Sequence, residues 1–182
     1  MYKENNVEIE KNIAILMLSA IISDTLLFKS PTCTKEDIKV AEELNKIANI
    51  NIQEYGLDML KAGTDVSDLS ADELIGLDAK EVTIGNYKTI IAQVNTASIP
   101  DMLKRKEELE ISINKKIDEK GLDLFFLAIT DIINSNSQVI ALGKEAKLVE
   151  KSYNVTLEEN TAFLPGIVSR KKQIIPVLTQ NA

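Results

Sequence analysis

Residues 80–96, KEVTIGNYKTIIAQVNT, mark the point where the apolar pattern of this 182-residue sequence changes from a helical period to a strand period. Two runs rich in Val, Ile, Thr and Tyr, which are residue types that favour strands, flank Gly85 and Asn86. Gly and Asn readily adopt the left-handed backbone conformation that a two-residue hairpin turn requires. The stretch therefore predicts a β-hairpin that opens a sheet.

The residues after the hairpin predict helices and further strands. Apolar residues recur at helical spacing over residues 99–117, with Pro100 suited to the first turn and Gly121 to the C-terminal stop. A short helix is predicted near residues 144–152. Short apolar runs predict strands at DLFFLAIT (123–130), QVIALG (138–143), FLPG (163–166) and KQIIPVL (172–178). Pro176 indicates that the last of these strands lies at a sheet edge or contains a bulge.

The domain organisation follows from these elements. Residues 71–182 predict an α/β domain of order β-β-α-β-β-α-β-β, in which helices pack on a mixed sheet of five or six strands. Residues 62–70 predict a linker, and residues 1–61 predict a helical lobe.

The helical lobe looks incomplete. Residues 11–28 are apolar on almost every side, which a helix tolerates only when other elements cover it all round. Thr34, with Asp37 three residues later, predicts the N-terminal cap of an amphipathic helix. Because about 60 residues supply too few partners for the first helix, we expect another chain or a missing N-terminal domain to cover it.

Composition excludes several classes of function. The net charge of −7 argues against a broad surface for nucleic acid or anionic membranes, so any anion site has to be local. The apolar run at residues 13–22 is too short to span a membrane. Cys33 is the only cysteine and the first residues lack a secretory signal, so we expect a cytoplasmic protein. The sequence has no histidine, which removes the commonest general base and transition-metal ligand.

Two single residues are candidates for function, and each also has an ordinary interpretation. Asp24 follows the apolar helix, where it either hydrogen-bonds neighbouring backbone at the surface or binds a metal. Lys80 begins a predicted strand and, taken alone, is typical of a solvated surface lysine.

Arg170, Lys171 and Lys172 form the most concentrated cationic stretch in this acidic chain. An Arg fork beside a Lys can bind phosphate oxygens, whereas short basic runs also protect edge strands from aggregation. The residues alone favour the edge-strand interpretation slightly. Sequence patterns for a P-loop, a dinucleotide fingerprint, a nucleophile elbow or a cysteine metal cluster are absent from the sequence.

Four blocks nevertheless resemble, in the same order, the C-terminal portion of the family II, manganese-dependent inorganic pyrophosphatases of the DHH phosphoesterase superfamily. The blocks are LMLSAIISDTLLFKSPTCT (16–34), LDAKEVTIGNYKTIIAQVNT (77–96), LDLFFLAITDI (122–132) and NTAFLPGIVSRKKQIIPVLT (160–179). The resemblance covers essentially the whole chain. It implies that residues 1–61 are the last helices of a DHH domain and that residues 71–182 are the complete DHH-associated, substrate-binding domain.

The resemblance also assigns roles to four residues. It implies that Asp24 coordinates one metal ion, that Lys80 contacts a substrate phosphate, and that Arg170 and Lys171 hold pyrophosphate. Lys172 is left as a structural neighbour. These roles replace the ordinary interpretations that the residues alone favoured.

The resemblance implies that the parent enzyme uses Mn²⁺ or Co²⁺ with Mg²⁺ to hydrolyse pyrophosphate to two phosphates. It also implies that the family's remaining metal ligands, including the DHH signature, lie upstream of this sequence. We expect the isolated chain to be metal-free and inactive, because Asp24 alone cannot hold two metal ions. The expected partners are pyrophosphate and the missing DHH domain, with no nucleic acid and no membrane, and a homodimer is an assembly that the sequence leaves open.

Two alternatives remain open at this stage. The chain is either the enzyme fragment just described or a stand-alone anion-binding or regulatory module without catalysis. A DHH phosphoesterase acting on oligonucleotides or cyclic dinucleotides ranks lower, because the chain lacks the glycine-rich C-terminal signature of those enzymes.

Overall fold

The chain consists of two compact units, Met1–Gly63 and Thr64–Ala182. The computed structural model describes residue 5 and residues 7–182. The division falls inside the stretch 62–70 that the sequence marks as a linker, while the role of that stretch as an interdomain connection in a larger protein stays a prediction.

The described residues of the first unit form the α-helices α1 (Lys11–Thr25), α2 (Lys35–Ala48) and α3 (Ile52–Ala62). The predicted cap of α2 is present, because the Thr34 hydroxyl accepts a hydrogen bond from the Asp37 amide at 3.2 Å and the Asp37 carboxylate accepts from the Thr34 amide at 2.8 Å. The hydrogen bonds that the Asp37 carboxylate accepts from the Thr34 amide and hydroxyl lower the pKa of Asp37. The core of the unit lies along one stripe of α1, consisting of Ala14, Leu18, Ile22 and Thr25.

The opposite side of α1 is open in this chain. Leu16 is 65% exposed, although the apolar sequence of this helix predicts cover on every side. The side chains of the described residues therefore cover one face of α1 and leave part of the opposite face accessible to solvent.

The second unit is an α/β domain, as the sequence predicts. Its five strands are β1 (Lys80–Ile84), β2 (Tyr87–Thr96), β3 (Leu124–Asp131), β4 (Asn136–Leu142) and β5 (Thr161–Leu164). Its helices are α4 (Ala71–Leu74), α5 (Ile99–Leu103), α6 (Lys106–Lys120), α7 (Lys147–Tyr153) and α8 (Ile175–Asn181), and a π-helical turn (Arg170–Ile174) leads into α8.

The strands form one mixed sheet in the order β1-β2-β3-β4-β5. The central pair β2 and β3 is parallel, and the remaining neighbours are antiparallel. The predicted hairpin is confirmed, because β1 pairs with β2 and Ile84 stands opposite Tyr87 across the turn. Every residue of β3 is buried, so apolar side chains cover both faces at the centre of the sheet.

Each face of the sheet has its own core. Residues of α5 and α6, including Met102, Leu109 and Ile113, pack on one face. Residues of α7, the π-helical turn and α8 pack on the other, which we call the α8 face. Val82 and Ile84 belong to the α8 face, and Lys80 lies on the same side of β1 because side chains two residues apart share a face.

Two details of the predicted secondary structure are wrong. The single helix predicted through residues 99–117 is broken between Leu103 and Lys106, because Arg105 leaves the helical conformation and its guanidinium donates to the carbonyl oxygens of Val66 and Leu69 at 3.5 and 2.8 Å. Tertiary hydrogen bonds at this point override the helical pattern.

The last predicted strand, KQIIPVL (172–178), is also wrong, since these residues form the end of the π-helical turn and most of α8. Pro176 occupies the first turn of α8, where its missing N–H costs nothing. Ile174 and Leu178, four residues apart, are both fully buried on the α8 face. The edge-strand interpretation of Arg170 to Lys172 therefore does not apply.

Substitutions at two glycines, Gly143 and Gly121, test the packing of the sheet. Gly143 follows β4 with φ +113, and a Cβ there would lie 2.4 Å from the Asp123 carbonyl oxygen, whereas Gly121 has φ +60 and nothing within 4 Å. We expect Gly143→Ala to lower the free energy of unfolding by about 2–4 kcal/mol through strain and overpacking. Gly121→Ala, the control, should cost only about 1 kcal/mol. Urea unfolding followed by circular dichroism measures both, and equal losses would contradict this packing.

Candidate functional site

The side chain of Arg170 reaches the start of β1. Its guanidinium donates to the carbonyl oxygens of Asp78 and Ile91, and it lies 2.7 Å from the Asp78 carboxylate. Ile91 stands directly opposite Lys80 in the pairing of β1 with β2. The Arg170 guanidinium therefore lies close to the backbone at the start of β1, where Lys80 stands, although 90 residues separate the two in the sequence.

Lys171 follows Arg170 in the π-helical turn. We refer to the three cations Lys80, Arg170 and Lys171 together as the cation cluster. Lys80 and Lys171 are exposed, whereas the Arg170 side chain is only 19% exposed. Neither Lys80 nor Lys171 forms an ion pair with an acid among the described residues. The cluster thus combines one anchored planar fork with two accessible point charges, a combination suited to a small anion with several oxygens.

Polar side chains of the sheet hold residues 167–170, the segment that carries Arg170. The Gln93 side chain donates to the Thr130 hydroxyl and to the Val168 carbonyl oxygen, both at 3.0 Å, and its carbonyl oxygen accepts from the Arg170 amide at 3.3 Å. The Thr130 hydroxyl also lies 2.9 Å from the Ser137 hydroxyl. These side chains join β2, β3 and β4 to the segment before α8.

Ser137 extends this network to Ile167, the residue before Val168. Its hydroxyl donates a hydrogen bond to the Ile167 carbonyl oxygen at 2.6 Å. Thr130 and Ser137 are completely buried. Buried hydroxyls need hydrogen-bond partners, so the sheet face itself dictates where residues 167–170 lie.

The π-helical turn adds a second anchor. The Ser169 hydroxyl accepts from the Lys172 amide at 3.2 Å, and Gln173 hydrogen-bonds backbone groups of the preceding segment. The Tyr153 hydroxyl donates to the Gln173 carbonyl oxygen at 3.1 Å, and burial raises the pKa of Tyr153. Tyr153 therefore remains a neutral donor at physiological pH.

Asp24 belongs to the first unit and lies in the last turn of α1 with an exposed side chain. The chain after it takes an unusual path, because Leu26, Leu27 and Phe28 all have φ between 47 and 66. The Thr25 hydroxyl accepts from the Phe28 amide at 3.1 Å, and the Thr32 hydroxyl donates to the Asp24 carbonyl oxygen at 3.4 Å. Three consecutive left-handed residues without glycine are costly, so this turn is specifically maintained.

The side chains present do not make up a metal site by themselves. Over residue 5 and residues 7–182, no group of three or more His, Cys, Asp or Glu side chains is placed to hold a metal ion. Asp24 can contribute one carboxylate, which is too few ligands for a stable divalent site.

Sequence reasoning missed three residues of the site. The sequence patterns assign no role to Asp78, Gln93 or Gln173. The sequence does contain a signal for Gln93, because it is a polar residue inside the apolar strand run IIAQV. In the structure it lies on the α8 face. Its partners lie 37, 75 and 77 residues away, which no local pattern reveals.

Comparisons with known proteins give a consistent result. A family model described as the DHHA2 domain matches residues 57–181. The manganese-dependent inorganic pyrophosphatase of Bacillus subtilis is 63% identical over 179 residues, which are 98% of this chain and 58% of that protein. A Bacillus velezensis protein assigned the same activity has the same identity and coverage.

A solved structure agrees with these sequences. A Methanococcus jannaschii protein assigned to the family II inorganic pyrophosphatases is similar with a TM-score of 0.85 and 39% identity, over 96% of this chain and 57% of that one. The chain thus spans little more than half the length of the relatives it matches. A search of the described residues for a helix long and apolar enough to cross a membrane finds none.

Substitutions at two serines, Ser169 and Ser152, test how the π-helical turn is anchored. We expect Ser169→Ala to lower the free energy of unfolding by about 1 kcal/mol, because it removes the hydrogen bond that caps the π-helical turn. Ser152→Ala is the matched control, since the buried Ser152 hydroxyl has no hydrogen-bond partner among the described residues. That change should leave stability unchanged or raise it slightly. Chemical denaturation of both variants measures the difference, and a neutral Ser169→Ala would contradict the anchoring role.

Proposed function

The chain belongs to the DHHA2 domain family, and from that premise we propose that it is the substrate-binding, C-terminal part of a metal-dependent inorganic pyrophosphatase. The parent enzyme would hydrolyse diphosphate with water to two phosphates. The observation that carries the proposal is the contact of the Arg170 guanidinium with the carbonyl oxygens of Asp78 and Ile91, next to the start of β1 at Lys80.

Charge and geometry favour pyrophosphate as the ligand of the cation cluster. Pyrophosphate is small and densely charged, so a planar Arg fork and two Lys ammonium groups can satisfy several of its oxygens at once. We assign Lys80, Arg170 and Lys171 to this contact. The net charge of −7 on the whole chain disfavours long polyanions, which need a broad positive surface.

The metal ions belong to the parent enzyme in this proposal. The Bacillus subtilis relative is named for its manganese dependence, and we propose that Asp24 supplies one ligand while an N-terminal DHH domain supplies the rest. Because this chain has too few ligands for a metal site among its described residues, no catalytic step is assigned to it. The contribution of its own residues is to bind the substrate and to neutralise its charge as the bridging bond breaks.

We further propose a cytoplasmic location, in line with the lone Cys33. The DHH domain would be the main partner. A homodimer is a further assembly that the proposal allows.

A second candidate function is a stand-alone anion-binding or regulatory module without catalysis. It is favoured by the combination of an intact cation cluster with the lack of a metal-binding group among residues 5 and 7–182. The reading frame upstream of Met1 distinguishes the two candidates, since an in-frame DHH sequence supports the enzyme and a stop codon supports the module.

The ligand assignment predicts the effect of removing the cations. We expect Arg170→Ala and Lys171→Ala each to weaken pyrophosphate binding at least about tenfold, because each removes a charge-assisted contact, and together to abolish it. Titration calorimetry measures binding, and circular dichroism verifies the fold. Lys172→Ala is the control and should bind normally. Unchanged binding by the double variant would contradict the assignment.

The division of labour predicts that this 182-residue chain releases little or no phosphate from pyrophosphate in the presence of Mn²⁺. The full-length Bacillus subtilis relative, assayed under the same conditions, is the positive control. Robust turnover by the chain alone would refute the proposal that the missing domain supplies the catalytic metal site.

A further inference from the structure

Residues 165–169 connect β5 to the π-helical turn without strand or helix structure, yet side chains bind several of their backbone groups. The Gln173 side chain accepts from the amides of Val168 and Ser169 at 3.0 and 3.1 Å and donates to the Gly166 carbonyl oxygen at 2.8 Å. One amide group therefore holds three backbone groups of this segment.

The Gln93 side chain completes the set from the sheet. It donates to the Val168 carbonyl oxygen and accepts from the Arg170 amide. Val168 and Ser169 are only 5% and 7% exposed, so solvent cannot easily replace these partners. Two glutamines thus satisfy five backbone groups between Gly166 and Arg170, and the last of these is the amide of Arg170 itself.

We infer that Gln93 and Gln173 are positioning residues for the anion site, which set the place from which the Arg170 guanidinium reaches its ligand. The inference rests on the proposed function, since it takes pyrophosphate as that ligand. It explains the final residue of the stretch SRKKQ, which charge alone leaves without a role.

Glutamine suits both positions because its amide donates and accepts at the same time. Glutamate keeps the acceptor but loses the donor when ionised, and methionine has similar length without either. Loss of the amide leaves buried backbone groups unpaired, and the segment then moves to find water. Arg170 moves with it, so the loss falls on affinity for the anion.

The chain offers a matched control in Gln138. It lies in β4 between residues of the α8 face, so its own side chain is on the opposite face of the sheet with Ile140. Like Gln93 and Gln173 it is half-buried, but its side chain makes no hydrogen bond among the described residues.

The test compares pyrophosphate binding by the unaltered chain with that of Gln93→Met, Gln173→Met and Gln138→Met, using titration calorimetry. We expect the Kd to rise about tenfold for the first two and to stay unchanged for the third. Gln173→Glu retains both acceptor contacts and should fall between the unaltered chain and Gln173→Met. If a methionine variant fails to fold, the glutamate variant at the same position carries the comparison.

Hydrogen exchange separates positioning from general stability. A positioning role predicts faster exchange of the Val168 and Ser169 amides in Gln173→Met and of the Arg170 amide in Gln93→Met. Exchange in β3 and β4 should be unchanged in both variants. Variants that bind as tightly as the unaltered chain would overturn the inference and leave the proposed function intact. An unaltered chain that binds no pyrophosphate would overturn the proposed function and the inference with it.

Discussion

The buried hydrogen bonds between Gln93, Thr130 and Ser137 and the segment before α8 are the constraint on which the site depends. The buried core of the α8 face is apolar around them, so these polar side chains are stable there only if every donor and acceptor finds a partner. Backbone groups of Ile167, Val168 and Arg170 supply the missing partners. The sheet therefore determines the path of the segment, and the segment delivers Arg170 to the start of β1.

Local charge then turns this geometry into a site for a small anion. The opposite face of the sheet also has lysines, since Lys116 and Lys120 line a cavity of about 290 Å³. There, however, Lys120 pairs with Glu81, and Asp72 lines the same cavity, so the positive charge is offset. The cation cluster has one acid close to Arg170, the exposed Asp78, while Lys80 and Lys171 remain accessible. An anion that competes with Asp78 for the guanidinium gains two further charges, which favours a ligand with many oxygens.

Much of the fold was predictable because local signals and tertiary packing agree. The hairpin around Gly85, the buried strand β3 and the cap at Thr34 each follow from residue types at adjacent positions. The failures occur where distant contacts decide, as at Arg105, whose bonds to residues 66 and 69 break a helical pattern. The run KQIIPVL was ambiguous because a short apolar stretch suits a strand or a helix until its burial is known. The same limit applies to the site: family resemblance identified Lys80, Arg170 and Lys171 as substrate contacts, roles that remain proposals, whereas the residues alone favoured a protected sheet edge.

We propose that a fixed segment presents Arg170 and Lys171, together with Lys80, to pyrophosphate. A nuclear magnetic resonance titration of the isotope-labelled chain with pyrophosphate examines this proposal residue by residue, because every backbone amide gives a separate signal. We expect saturable shifts at residues 80, 170 and 171, with the signals of Lys116 and Lys120 unchanged. Saturable shifts confined to the opposite face of the sheet, or none at the cation cluster, would contradict it.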